Sequence, residues 1–182
     1  SSEENSIEII GKLGRLMGAD RTYMTAPIYA DTPEARYVIA GQQFFVSVLE
    51  LVRRTDIACF AVGDMSPSSL LIRHALPKGV SVAELKAAGA VGEILGTFIN
   101  EEGMAIDHRV NRQLLGPGLD DLRAMKSLVL ASGGPGKVDA EDVARRLVRD
   151  AHAQVRFERD HAARQAREDH REVRALRLGR LL

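Results

Sequence analysis

Two apolar runs of strand length constrain this chain more than anything else in it. Ile57-Ala58-Cys59-Phe60-Ala61-Val62 ends in Gly63-Asp64, and Ser127-Leu128-Val129-Leu130-Ala131 runs into Gly133-Gly134-Pro135-Gly136-Lys137. Near-continuous apolar runs suit strands covered on both faces, and open α/β sheets place their ligand loops beyond the strands' carboxyl ends. The two runs therefore predict a parallel sheet whose glycine-rich strand exits face a ligand.

The intervening pattern supplies helices. Ser2 is a plausible N-cap, and Ile7, Ile10, Leu13, Leu16 and Met17 recur at helical spacing before Gly18. A short strand is expected over Thr22–Thr25. Asp31-Thr32-Pro33-Glu34 reads as a helix start, and Phe44, Val48, Leu51 and Val52 give the following helix an apolar face. Ser81-Val82-Ala83-Glu84 fits a capping box for a helix ending at Gly89. Residues 90–99, with glycines at 92 and 96, suggest a strand or extended turn that another backbone approaches closely. Glu101-Glu102-Gly103 joins it to Met104–Asp107, and Leu119-Asp120-Asp121-Leu122 begins a short helix. The fold class is α/β, a Rossmann-like, mostly parallel sheet flanked by helices, with a small antiparallel excursion.

Composition bounds the rest. A chain of 182 residues can bury one substantial core. Residues 1–140 carry 14 basic against 17 acidic side chains, whereas residues 141–182 carry 11 arginines, no lysine and 8 acids. That shift places a boundary at Ala140, with residues 141–182 expected as an Arg-rich helical or disordered tail. Neither part is basic enough to argue for nucleic-acid binding by charge. No apolar stretch approaches the ~20 residues that span a bilayer, and the acidic start is unlike a signal peptide. A cytoplasmic protein without membrane contact is expected, and the single Cys59 reads as a buried small hydrophobe rather than a nucleophile.

Several side chains suit anion binding. Gly133 and Gly134 let backbone N–H groups approach an anion at a helix start, and Lys137 adds a full charge; a plain strand-to-helix turn with a solvated lysine is the alternative. Arg73, just past the serine-rich turn Ser66–Leu71, either makes a bidentate phosphate contact or is a surface arginine. Gly63 and Asp64 sit at a strand's carboxyl end, the usual ligand side, although Asp64 also suits capping a turn. Glu93 stands among apolar residues and glycines, where an unpaired carboxylate is costly, so it needs a ligand or a structural partner. Asp107 and His108 read as a structural hydrogen-bonded pair more readily than as an acid/base couple. His152, His161 and His170 recur every nine residues, which places successive members on opposite sides of a helix, so no metal site is expected.

Five segments, in order, resemble those of a known family. Asp56-Ile57-Ala58 through Val62-Gly63-Asp64, Ser68-Ser69-Leu70-Leu71-Ile72-Arg73, Gly89-Ala90-Val91-Gly92-Glu93-Ile94-Leu95-Gly96, Asp107-His108-Arg109-Val110-Asn111-Arg112 and Ala131-Ser132-Gly133-Gly134-Pro135-Gly136-Lys137 resemble the sugar-binding domain of SorC-type bacterial transcriptional regulators. The resemblance covers roughly residues 5–140. It implies a fold like that of ribose-phosphate isomerases and glucosamine-phosphate deaminases, used to sense a sugar or sugar phosphate. It also implies that Lys137 contacts the effector's phosphate, that Arg73 lies at the effector, and that Glu93 accepts hydrogen bonds from sugar hydroxyls. Family members work as homodimers or homotetramers and bind operators through a separate helix-turn-helix. That module, and the first strand–loop–helix unit with its anion loop, have no counterpart before Ser1. The run Glu141–Leu182 departs from the family's ending, and a shifted reading frame is one explanation.

The leading expectation is thus an effector-sensing domain, residues 1–140, with no catalytic residue, no cofactor and no metal. A sugar-phosphate isomerase or deaminase, drawing on Glu93, Asp107 and His108, is the alternative. An oligomerisation module with a vestigial pocket is a third reading.

Overall fold

The computed structural model describes residues 6–130. The expected N-cap at Ser2, the loop Gly133–Lys137 and the tail 141–182 lie outside these residues.

Helix α1 spans Ser6–Met17 and stops at Gly18, whose φ of 60° is the left-handed conformation that glycine adopts without penalty. The segment Arg21–Ala26 is irregular rather than the expected strand, because no described strand lies alongside to complete a ladder. Helix α2, Pro33–Ala40, begins as its sequence predicts: Thr32 Oγ1 accepts a hydrogen bond from Ala35 N–H at 3.1 Å, with proline in the first turn. Helix α3, Gln43–Arg53, buries Phe45 and Val48, and its Val52 packs against the core that holds Phe60 and Leu128. The apolar stripe is thus rotated from the expected one, leaving Phe44 and Leu51 exposed.

The run Ile57–Val62 proves to be two strands. Strand β1, Ile57–Phe60, breaks at Ala61, and β2 continues through Val62–Asp64 in a different sheet. Strand β1 pairs in parallel with β5, Ser127–Leu130, in the register Ile57 to Ser127 through Phe60 to Leu130. Among the described residues this is the whole parallel sheet. One face, bearing Phe60, Leu128 and Leu130, is buried. The other carries exposed Ile57 and Cys59, so the thiol lies at the surface, contrary to its expected burial.

Among the described residues the antiparallel excursion has three strands. Strand β2 pairs with β3, Gly92–Ile94, which turns through Leu95-Gly96 into β4, Thr97–Ile99. Both turn residues have positive φ, 50° and 84°, which suits the twist of a two-residue hairpin. Before it lie the short helices α4, Leu70–His74, and α5, Val82–Ala87. The predicted capping box at α5 is present in both directions between Ser81 and Glu84. After it come α6, Arg109–Arg112, and α7, Leu119–Arg123.

This sheet separates two cores. Val62, Ile94 and Ile99 point toward β1 and β5 and pack with Leu119, Leu122, Leu128 and Leu130. Phe98 points the other way, among Tyr29, Leu85, Ile106, Val110 and Leu114. Period-two alternation along the three strands produces this division directly.

Candidate functional site

The hairpin brings three of the sequence-predicted residues together. Cross-strand register sets Gly63 opposite Glu93 and Asp64 opposite Gly92. A β-carbon on Gly63 would lie 2.0 Å from Glu93 Oε1, so only glycine leaves the carboxylate its place. The other oxygen, Oε2, accepts a hydrogen bond from Gly96 N–H at 2.8 Å, so Glu93 braces the turn of its own hairpin. The Gly96 amide meets part of the desolvation cost that the sequence raised. Asp64 Oδ1 accepts from Ser66 N–H at 2.9 Å, the turn-capping arrangement, in which the serine-rich connection to α4 starts from β2.

Arg73 lies exposed on α4, after the serine-rich connection that leads out of β2. Lys137, Gly133 and Gly134 lie outside the described residues. Strand β5 leads toward them, and its parallel partner β1 leads through Ala61 to Gly63.

Two contributors were not evident in the sequence. Tyr29 is buried, and its hydroxyl donates to Gly96 C=O at 2.5 Å. Burial, and then the negative charge of Glu93, push the phenol well above its ordinary range, so it remains a donor. Asn111 binds the backbone of β4 from outside: its Oδ1 accepts from Phe98 N–H at 2.9 Å, and its Nδ2 donates to Phe98 C=O and Ile106 C=O, each at 2.9 Å. The contacts to Gly96 and Phe98 span 67 and 13 positions of sequence, and no short-range pattern announces either.

The acid/base candidates do not converge. His108 caps α6 by accepting from Val110 N–H through Nδ1 at 3.2 Å, which leaves Nε2 to donate to Glu84 Oε1 at 2.9 Å. That hydrogen bond, and then Ser81 N–H, hold the Glu84 carboxyl below its usual range. Asp107 pairs with Arg112 at 2.7 Å on the surface. Both residues are structural, as the sequence suggested, but with other partners than each other. Among the described residues no cluster of His, Cys, Asp or Glu could hold a metal ion, and no helix is long and apolar enough to cross a membrane.

These elements define an α/β domain with an antiparallel hairpin sheet set against a parallel pair. The chain belongs to the sugar-binding domain family (Sugar-bind), whose model matches residues 1–145. It is 24% identical over 136 residues to the erythritol catabolism regulatory protein EryD of Brucella abortus, covering 75% of this chain and 43% of that protein. It is 27% identical over 118 residues to the deoxyribonucleoside regulator of Bacillus subtilis, covering 65% of this chain and 37% of that one. The chain thus spans less than half the length of either regulator. Among solved structures, a DeoR family transcriptional regulator from Listeria monocytogenes superposes with a TM-score of 0.73 at 20% identity, over 84% of this chain and 60% of that one. The full-length sorbitol operon regulator SorC from Klebsiella pneumoniae superposes with a TM-score of 0.69 at 18% identity, over 84% of this chain and 49% of that one. At such identities the structural likeness establishes the fold.

Proposed function

We propose that this chain is the effector-sensing domain of a transcriptional regulator, binding a sugar or sugar phosphate to control operator binding by a separate DNA-binding domain. Residues 1–140 form the sensing domain in this reading. Glu93 receives sugar hydroxyls beside Gly63 and Asp64, while Arg73, Lys137 and the amides of Gly133 and Gly134 receive the phosphate. The half-buried Glu93 carboxylate, seated over a glycine in the antiparallel sheet, is the observation that carries it. Membership of the sugar-binding domain family supports the ligand class. Two relatives named as regulators, of erythritol catabolism and of deoxyribonucleosides, support a sensor rather than an enzyme.

Differential affinity for two quaternary arrangements is the physical means by which such a ligand alters operator binding. A cytoplasmic homodimer or homotetramer belongs to the same proposal. Thermal-shift titration of the 182-residue chain with erythrose 4-phosphate, ribose 5-phosphate and glucose 6-phosphate tests it. A saturable rise in melting temperature with one of them, and no turnover in a coupled assay, is expected. A flat response to all three would sink the reading.

A further inference from the structure

We infer that Tyr29 is the positioning residue of this site: its hydroxyl fixes the Leu95-Gly96 turn, and the turn fixes the direction of the Glu93 carboxylate. The inference rests on the reading of Glu93 as the group that receives sugar hydroxyls.

Both polar groups of Gly96 are held by side chains rather than by a ladder partner. Tyr29 Oη donates to its carbonyl at 2.5 Å, and Glu93 Oε2 accepts from its amide at 2.8 Å. The peptide units of the turn therefore stand between a fixed donor and the carboxylate. Tyr29 is itself immobilised, since it packs in the core with Leu114 and Phe98 and its backbone bridges to Leu114. The turn has little slack. A β-carbon on Gly96 would lie 2.9 Å from Leu114 Cδ1 and 3.0 Å from Ile28 Cγ2, so the glycine is pressed against the same wall.

The turn is also under strain that something must oppose. Leu95 sits at φ 50°, a conformation that costs a non-glycine residue about 1–2 kcal/mol. Without the Tyr29 anchor, the Gly96 carbonyl loses its buried donor and the turn relaxes. The amide that orients Glu93 Oε2 moves with it. A carboxylate already aimed spends less ordering entropy when it meets a ligand, which is where the anchor enters affinity.

The test is Tyr29→Phe in the full chain, read in two ways. Hydrogen exchange of the Gly96 amide should quicken about tenfold or more relative to the Leu128 amide, as expected for losing a hydrogen bond worth about 1.4 kcal/mol. The affinity for whichever of erythrose 4-phosphate, ribose 5-phosphate and glucose 6-phosphate binds the parent should fall about tenfold. Affinity for inorganic phosphate, which does not use Glu93, should hold within about twofold. If Tyr29→Phe does not fold alone, the comparison is made in the Leu95→Gly background, where the positive φ costs nothing. A lower melting temperature with unchanged Gly96 exchange and unchanged sugar-phosphate affinity would overturn the inference. So would an equal loss for sugar phosphate and inorganic phosphate. If none of the three sugar phosphates binds the parent while Gly96 exchange still responds, the anchor stands and the sugar reading alone fails.

Discussion

Gly63 and Glu93 face each other across β2 and β3, and the carboxylate occupies the space that any β-carbon at residue 63 would need, with Oε1 only 2.0 Å from that position. The glycine is thus a condition for where the acid sits. Since the obstructing atoms are the far end of a flexible side chain, the acid can move aside.

Gly63→Ala should therefore leave the fold largely intact, within about 1 kcal/mol, while displacing Glu93. Sugar-phosphate affinity should fall about tenfold. Isothermal titration beside urea denaturation separates the two effects. Unchanged affinity would show that the position of this carboxylate is immaterial to the ligand.

Asn111→Ala removes three hydrogen bonds to the backbone of β4 and its neighbour Ile106. Phe98 is fully buried, so its amide and carbonyl lose partners where water cannot replace them. A loss of about 2–4 kcal/mol is expected in urea unfolding. Asn111→Asp keeps the acceptor for Phe98 N–H but loses both donors, so it should not rescue.

Ser81→Ala breaks one half of the capping box at α5 and should cost about 1 kcal/mol. Far-ultraviolet dichroism should barely change, because α5 is short and Leu85 still anchors it in the core. The loss should appear in the melting temperature alone.

Acid should destabilise the domain through identifiable carboxylates. Burial raises the Asp121 carboxyl, but the Arg53 hydrogen bond at 2.9 Å and Gly118 N–H outweigh it and hold the group low. The hydrogen bonds of His108 and Lys126 hold Glu84 and Asp56 low in turn. Depressed folded-state values give stability that is present above the unfolded values, about 4, and lost as pH falls through the folded ones. Lys126 is raised by Asp56, so its contribution is present below about pH 10.4 and lost as pH rises through the folded value. The melting temperature should hold across neutral pH and fall below about pH 4. Asp121→Asn should flatten that acid limb more than Asp56→Asn, because Asp121 also caps α7 and Asp56 belongs to an exposed pair.

Local chemistry was legible in the sequence wherever a few neighbouring residues decide it. The caps at Thr32 and Ser81, the stop at Gly18, the Glu101–Gly103 turn and the α7 start all follow from such signals. An antiparallel excursion was legible too, but the sequence paired residues 90–99 with Met104–Asp107, whereas the hairpin turns at Leu95-Gly96 within that stretch and only the bridge Ile99 to Ala105 reaches the later segment. What distant partners decide was not. The change of sheet at Ala61 depends on the distant edge of β3, with which β2 pairs. The buried face of α3 turned by one position to place Phe45 against Ala30 and Leu115. Cys59 lies on a sheet face that no described element covers. Gly63, Glu93 and Asp64 could be named from composition and family resemblance. Tyr29 acts across 67 positions of sequence, and no window of neighbouring residues shows it.

The lone residue between β1 and β2 gives the molecule a stiff elbow. Phe60 and Val62 are both locked into the same core, and only Ala61 lies between them. With no spacer to absorb a rotation, a tilt of the hairpin at Gly63 is delivered straight to Phe60 and its neighbour Leu130. The Glu93 hairpin and the β1–β5 floor of the domain are thus coupled through a single residue, so a shift in one is felt by the other.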